Sequence, residues 1–337
     1  MRGDDEGRAD DERVDQAANP PQDVSGRTNN DAPSIQMLVR VGDNLPPVLP
    51  TDYTVAVGLL AELLEGIDRP QAFVPPGRHV GFCRICGTTA TLTFEHIPPG
   101  SAGNNRRARS SPSLPLLISD EPLKFPKTGW ISAQRGVGGY VLCKPCNEFV
   151  GQHYVPEYGR LAVALRQQVN AAFVALGRAV GGLELDLGGW ALGDVARAGL
   201  VTLMDVAVHD RLLLRYPELI NVVQQPGTPL PSTLRLGLTV VLGARARLSG
   251  PVCRVDRDGC IVFSEAALAP FSWTLSFLEP GLRSLPQTAD VSGWLHHGRN
   301  HRPMHARLEL PVGAVVSPTP GDYRPASQIA ADLPTGR

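Results

Sequence analysis

The chain has no surplus of charge of either sign, few aromatic residues and few cysteines. Its formal net charge is −1, its aromatic content 6% and its cysteines number six in 337 residues. Near-neutral charge excludes a uniformly basic or acidic binding protein. No stretch approaches the about 18 consecutive apolar residues of a membrane-spanning helix. The first residues are charged, unlike the apolar core of a secretory signal, and six cysteines do not read as a disulfide framework, so a reducing cytoplasmic setting is expected. Gly 35 and Pro 31 imply many turns and exclude a long helical bundle or coiled coil.

What is present is an apolar fraction of 42%, enough for a sizeable core, and length for about two domains. Charge is segregated along the chain. Residues 1–35 carry acidic groups such as Asp4, Asp5, Glu6, Asp10, Asp11 and Glu12 without periodicity, and read as a disordered acidic tail. Residues 36–76 form a lead-in, with a strand expected at Met37–Val41 and a helix from Thr51 or Asp52 to a stop before Pro70. Residues 77–158 form the basic part, and between residues 77 and 160 Lys and Arg outnumber Asp and Glu two to one. Residues 159–317 read as helices (Pro156 to about Val180, then Val195–Tyr216) followed by antiparallel strands with a hairpin turn at Asp256–Gly259. Residues 318–337 read as a tail. The fold class expected is α+β.

The basic segment holds the chemistry. Cys83-Arg84-Ile85-Cys86 and Cys143-Lys144-Pro145-Cys146 are two Cys-x-x-Cys knuckles, and four thiolates in two tight turns can close a tetrahedral zinc site. Between them Thr88–Phe94 alternates as a strand and ends on Glu95-His96-Ile97-Pro98-Pro99, and Asn147 follows the last cysteine. Residues 100–139 read as a long loop with a hairpin near Trp130-Ile131. Each feature has a plainer reading. The zinc site is structural in any case, Glu95-His96 is also what a surface pair at a strand end looks like, Asn147 suits a helix cap, and Arg106, Arg107 and Arg109 suit a solvated loop. Cys253 and Cys260 read as core thiols.

The order Cys-x-x-Cys, Glu-His-Ile-x-Pro, Cys-x-x-Cys-Asn resembles the HNH endonuclease family in its zinc-stapled branch. The resemblance covers about 75 residues. It implies a ββα-metal module with His96 as general base, Glu95 as a metal-binding acid, Asn147 in the position of a further metal ligand, and structural Zn2+ on the four cysteines. It also implies a hydrolytic ion, Mg2+ or Mn2+ with Zn2+ or Ni2+ as alternatives, and nucleic acid, DNA foremost, as the partner gripped by Arg106, Arg107 and Arg109. His153 is a further candidate ligand if Gly151 ends the helix early. One departure stands out. The family's middle asparagine, which braces the loop between the strands, is missing from Arg135–Tyr140, and nothing in the sequence requires Asn104 or Asn105 to fold back in its place. The alternative reading is a non-catalytic, zinc-stabilised nucleic-acid-binding module.

Overall fold

In the computed structural model, residues 50–64, 79–110, 131–133, 136–176, 182–207, 211–242, 245–256, 259–315 and 320–323 are described. The acidic segment 1–35 and the strand expected at Met37–Val41 lie outside them.

The first described element is helix α1 (Pro50–Leu64). Its buried face, Ala56, Leu59, Leu60 and Leu63, has the three-and-four spacing of a helix stripe. Strands β1 (His79–Phe82) and β2 (Thr89–His96) follow, then the short antiparallel pair β3 (Ala108–Ser110) and β4 (Ile131–Ala133). Strand β5 (Gly138–Cys143) completes a three-stranded antiparallel sheet in the order β1-β2-β5. Helix α2 (Lys144–His153) leaves β5 directly, and helix α3 (Val155–Leu176) continues after Tyr154.

Strand β6 (Gly182–Asp186) precedes helices α4 (Leu192–Val206), α5 (Arg211–Arg215) and α6 (Glu218–Gln224). The helical run expected over Val195–Tyr216 is thus two helices. Strands β7 (Leu234–Leu242), β8 (Ala246–Asp256), β9 (Gly259–Leu268), β10 (Phe271–Phe277), β11 (Ala289–Asp290) and β12 (Arg307–Ala314) build the large sheet, ordered β6-β12-β7-β10-β9-β8 with β11 on β7. The hairpin expected at Asp256–Gly259 closes with those two residues paired. The sheet is not wholly antiparallel, because β12 runs parallel to β7.

Helix α4 is buried from Leu192 to Asp205. It lies close on the sheet because position 199 is glycine: a Cβ there would stand 2.4 Å from the Trp273 ring. Trp273 Nε1 donates to the Tyr158 hydroxyl at 3.0 Å, joining β10 to α3. Arg197, fully buried, donates to the carbonyls of Val222, Leu295 and His297 and so ties α4 to α6 and the turn beyond β11.

The boundary expected at residue 158 falls inside α3. Cys83, Ile85, Leu142 and Cys146 share one continuous apolar cluster with Leu165, Leu200 and Trp273, and the described residues fall in one compact unit. The inner face of α3, with Tyr158, Leu161 and Leu165, is buried, Tyr158 against Phe271 and Trp273 of β10, so the knuckle segment shares a larger core.

Part of the expected tail is also held. Arg247 meets Glu265 through two hydrogen bonds of 2.6 and 2.8 Å, both side chains buried, and the Tyr323 hydroxyl donates to the same carboxylate. Gly321 N–H adds a further bond to Glu265 at 3.2 Å, which pins residues 320–323 across β8 and β9.

Candidate metal centre and the adjoining Glu95–His96 corner

The four knuckle sulfurs converge, all within 4.8 Å of one another. Each knuckle is a tight turn set by its sequence. In the first, Gly87 N–H donates to the Cys83 carbonyl at 3.0 Å, and Gly87 takes φ 72°, where a side chain is strained. In the second, Cys143 ends β5 and caps α2, with Pro145 in the first helical turn, where a missing N–H costs nothing. The knuckles are joined by Arg84 N–H to the Val141 carbonyl at 3.0 Å and by Cys143 N–H to the Cys83 sulfur at 3.4 Å.

The donor set fits zinc. A tetrahedron with Zn–S bonds of about 2.3 Å has sulfur–sulfur edges of about 3.8 Å, and the Cys86 and Cys143 sulfurs are 3.8 Å apart. Charge also asks for a cation. A hydrogen bond from the Cys146 thiol pulls Cys83 down to about 4, and the same contact pushes Cys146 up. Burial raises Cys143. One thiolate forms readily while its neighbours resist ionising beside it, a conflict that a bound dication removes.

Beside this centre, β2 ends on Glu95 and His96. Alternation along a strand sends them to opposite faces. The Glu95 carboxyl turns to α2 and accepts from the Asn147 amide and the His96 backbone N–H, yet burial outweighs both bonds and pushes it up to about 7. Asn147 Nδ2 also donates to Thr93 Oγ1 at 2.9 Å and to the Phe94 carbonyl at 3.4 Å. His96 lies on the other face, edge to the Phe94 ring at 5.3 Å, with Gly100 behind its imidazole.

Asn104 is the residue that sequence reasoning left without a role. It is 5% exposed; its amide donates at 2.7 Å to both the Pro98 and the Val137 carbonyls, and its oxygen accepts Val137 N–H at 2.8 Å. Ile97 N–H reaches the Val137 carbonyl as well, at 3.0 Å. The turn after His96 is therefore fastened to the start of β5. Gly136 makes room for this, since a Cβ there would sit 2.1 Å from the Asn104 carbonyl oxygen. The only sequence signal was the Gly103-Asn104-Asn105 turn.

Helix α2 runs unbroken through Gly151, so the condition for His153 to join Asn147 is not met; its ring packs on Phe149 at 4.8 Å. Arg106 and Arg107 are exposed beyond the 3-10 turn at Gly100–Ala102, and Arg109 lies on β3. Among the described residues, the four cysteines are the one group of three or more His, Cys, Asp or Glu side chains placed to hold an ion; Glu95, His96 and the histidines at 296, 297, 301 and 305 form no second one. Cys253 and Cys260 lie on β8 and β9. Among the described residues no helix is long and apolar enough to cross a membrane. No family model, curated protein or solved structure matches the chain.

Proposed function

We propose that the strand–strand–helix unit β2, β5 and α2, stapled by a structural zinc ion, is an HNH-type endonuclease centre that hydrolyses phosphodiester bonds of nucleic acid, DNA foremost. The observation that carries this reading is the approach of the Asn147 amide of α2 to the end of β2, where it bonds Thr93 Oγ1 and the Phe94 carbonyl and meets the Glu95 carboxyl, next in sequence to His96, whose ring lies on the other face of the strand. A carboxylate and an amide oxygen are hard donors suited to Mg2+ or Mn2+, once the Asn147 amide turns its oxygen inward. When bound, such an ion supplies Lewis-acid stabilisation to the phosphate and the departing oxygen. The chain's own part is to position and to move a proton. His96, on the open face, takes the proton from attacking water as general base. Asn104 supports the reading too: it braces the loop between the strands, the task of the family's middle asparagine, although it stands on the far side of the long loop.

The test is cleavage of plasmid DNA and of single-stranded oligonucleotides by the zinc-loaded chain with Mg2+, Mn2+ or Ni2+. His96→Ala is expected to lower the rate by about 100- to 10,000-fold with zinc content unchanged. Parental cutting by His96→Ala removes His96 from the mechanism.

A second reading, a non-catalytic zinc-stabilised nucleic-acid-binding module, asks for less. It needs no catalytic ion beside the tetrathiolate cluster, whose four sulfurs lie within 4.8 Å of one another. It is favoured by Asn147 Nδ2, whose hydrogen bonds all run to Thr93, Phe94 and Glu95, an arrangement that also serves as a plain brace between α2 and β2. Binding of nucleic acid with no cutting under any of the three metals selects this reading.

A further inference from the structure

The outward face of the β1-β2-β5 sheet carries a row of rings. His79 lies against Tyr140 with centroids 4.0 Å apart, Tyr140 meets Phe94 at 5.6 Å, and Phe94 meets His96 at 5.3 Å. The row crosses all three strands, because the registers set His79 beside Leu92, Phe94 opposite Tyr140 and His96 opposite Gly138. Two features set it apart from a core. Phe94 is 41% exposed, and its contacts with Tyr140 and His96 are near-perpendicular, 77° and 89°, so neither ring lies parallel on it. Gly138 opposite His96 puts no side chain across from the imidazole, and a Cβ there would press on the Phe94 ring at 2.8 Å.

We infer that this face is a stacking platform for the unpaired bases of a single nucleic-acid strand, which it lays along the sheet so that a phosphate arrives at His96. The inference rests on the nuclease-type reading above and deepens it by naming the substrate class. The occupant follows from the chemistry of the face. Every base has a π-face, and Phe, Tyr and His rings on a sheet take bases whatever their sequence; here Phe94 is exposed and His79, Tyr140 and His96 are half-buried. Glu95, which stands between Phe94 and His96 in sequence, meets the Asn147 amide of α2 instead of joining the rings. The last ring is itself the candidate base, so the row is continuous with the site. A duplex keeps its bases stacked on one another and out of reach of such a face.

The experiment measures fluorescence anisotropy of a labelled single-stranded 20-mer, the same sequence as a duplex, and an abasic 20-mer, each titrated with the zinc-loaded full chain in buffer without added divalent ion. The parent is expected to bind the single strand more tightly than the duplex or the abasic strand. Phe94→Leu and Tyr140→Leu are each expected to weaken single-strand binding by about 5- to 140-fold, the range for loss of one base–ring stack, with duplex binding unchanged. In Phe94→Trp the added indole emission is expected to be quenched by the single strand, a readout that holds even if a leucine variant fails to fold. Equal affinity for the abasic strand, equal losses on single strand and duplex, or unquenched indole emission each overturn the platform. Metal-dependent cutting of any polynucleotide in those cases leaves the nuclease reading standing. Failure of all cutting, with base-dependent binding intact, sinks that reading and keeps the platform.

Discussion

Asn104 and Val137 exchange two hydrogen bonds, amide to carbonyl at 2.7 Å and backbone N–H to amide oxygen at 2.8 Å, across 33 residues of chain. A side chain thereby does what a neighbouring strand does in a ladder, and it does so one residue from the partner of His96. The same amide holds Pro98, two residues past His96, so the backbone that carries His96 is fixed from both sides.

Replacement of Asn104 by Ala is expected to leave the Val137 N–H and the Pro98 carbonyl without partners in a buried turn. Each group so stranded costs about 1–3 kcal/mol. The expected result is a lower urea midpoint at unchanged slope, together with a loss of metal-dependent cutting larger than the loss of zinc. Asn104→Ala with parental stability would show that water replaces the amide at no cost.

Zinc removal is a test of its own. Free zinc at about 1,000 times its dissociation constant stabilises the folded state by about 4 kcal/mol, or on the order of 10 °C in melting temperature for a domain of this size. Because Cys83 and Cys146 belong to the common core, the loss is expected to lower the single melting transition of the whole unit instead of releasing a separate domain. Cys146→Ser is expected to abolish stoichiometric zinc binding, read by metal analysis, while His96→Ala keeps it. Two separate melting transitions after chelation would contradict the shared core.

A pH dependence follows from Glu157 on α3. Burial disfavours its charge, but the Ala191 N–H and the guanidiniums of Arg302 and Arg160 outweigh that and hold its carboxyl below the ordinary value of 4.5. The folded state then binds fewer protons than the unfolded one, so this stabilisation is complete above the unfolded value and is lost as pH falls through the lower folded value. Glu157→Gln is expected to cost about 1.5–3 kcal/mol near neutrality and to flatten the decline of the urea midpoint at acid pH. Arg160, whose side chain is 60% exposed, contributes little, so Arg160→Ala is expected to move stability by less than about 1 kcal/mol. A parental acid slope in Glu157→Gln would place the sensitivity elsewhere.

The elements that were legible in the sequence are those whose cause is local. The knuckles show in Cys-x-x-Cys spacing, β2 in alternation, α1 in its stripe, and the β8–β9 hairpin in Asp256–Gly259. The elements that were missed depend on distant partners. Strands β6 and β12 carry Glu184, Asp186, Arg307, Glu309 and Pro311 and become strands only by pairing with each other and with β7. Asn104 looks like any turn residue until Val137 arrives beside it. Tyr323 was read as tail because its partners, Glu265 and Ser272, lie more than 50 residues earlier. Position 158, expected as a boundary, lies within α3, whose apolar face gives no sign in the sequence of which later helix covers it.

That covering contact gives the last prediction. Helix α4 can lie on Trp273 only because residue 199 has no side chain, and the nearest ring atoms would be 2.4 to 2.6 Å from an added Cβ. Alanine in place of glycine in a helix interior ordinarily stabilises by about 1 kcal/mol. Here the clash meets an indole fixed by its bond to Tyr158 and flanked by Phe271 at 5.9 Å, so it has no free direction in which to yield. Overpacking of a fixed core costs about 1–3 kcal/mol, and the net effect of Gly199→Ala is expected to be a loss of stability despite better helix propensity. The same indole bonds Tyr158 of α3, which follows the knuckle segment, so the variant is expected to lower the melting temperature of the knuckle segment and the large sheet together, with Trp near-UV circular dichroism reporting the displaced indole. A gain in stability would mean that α4 does not seat on Trp273 at this distance.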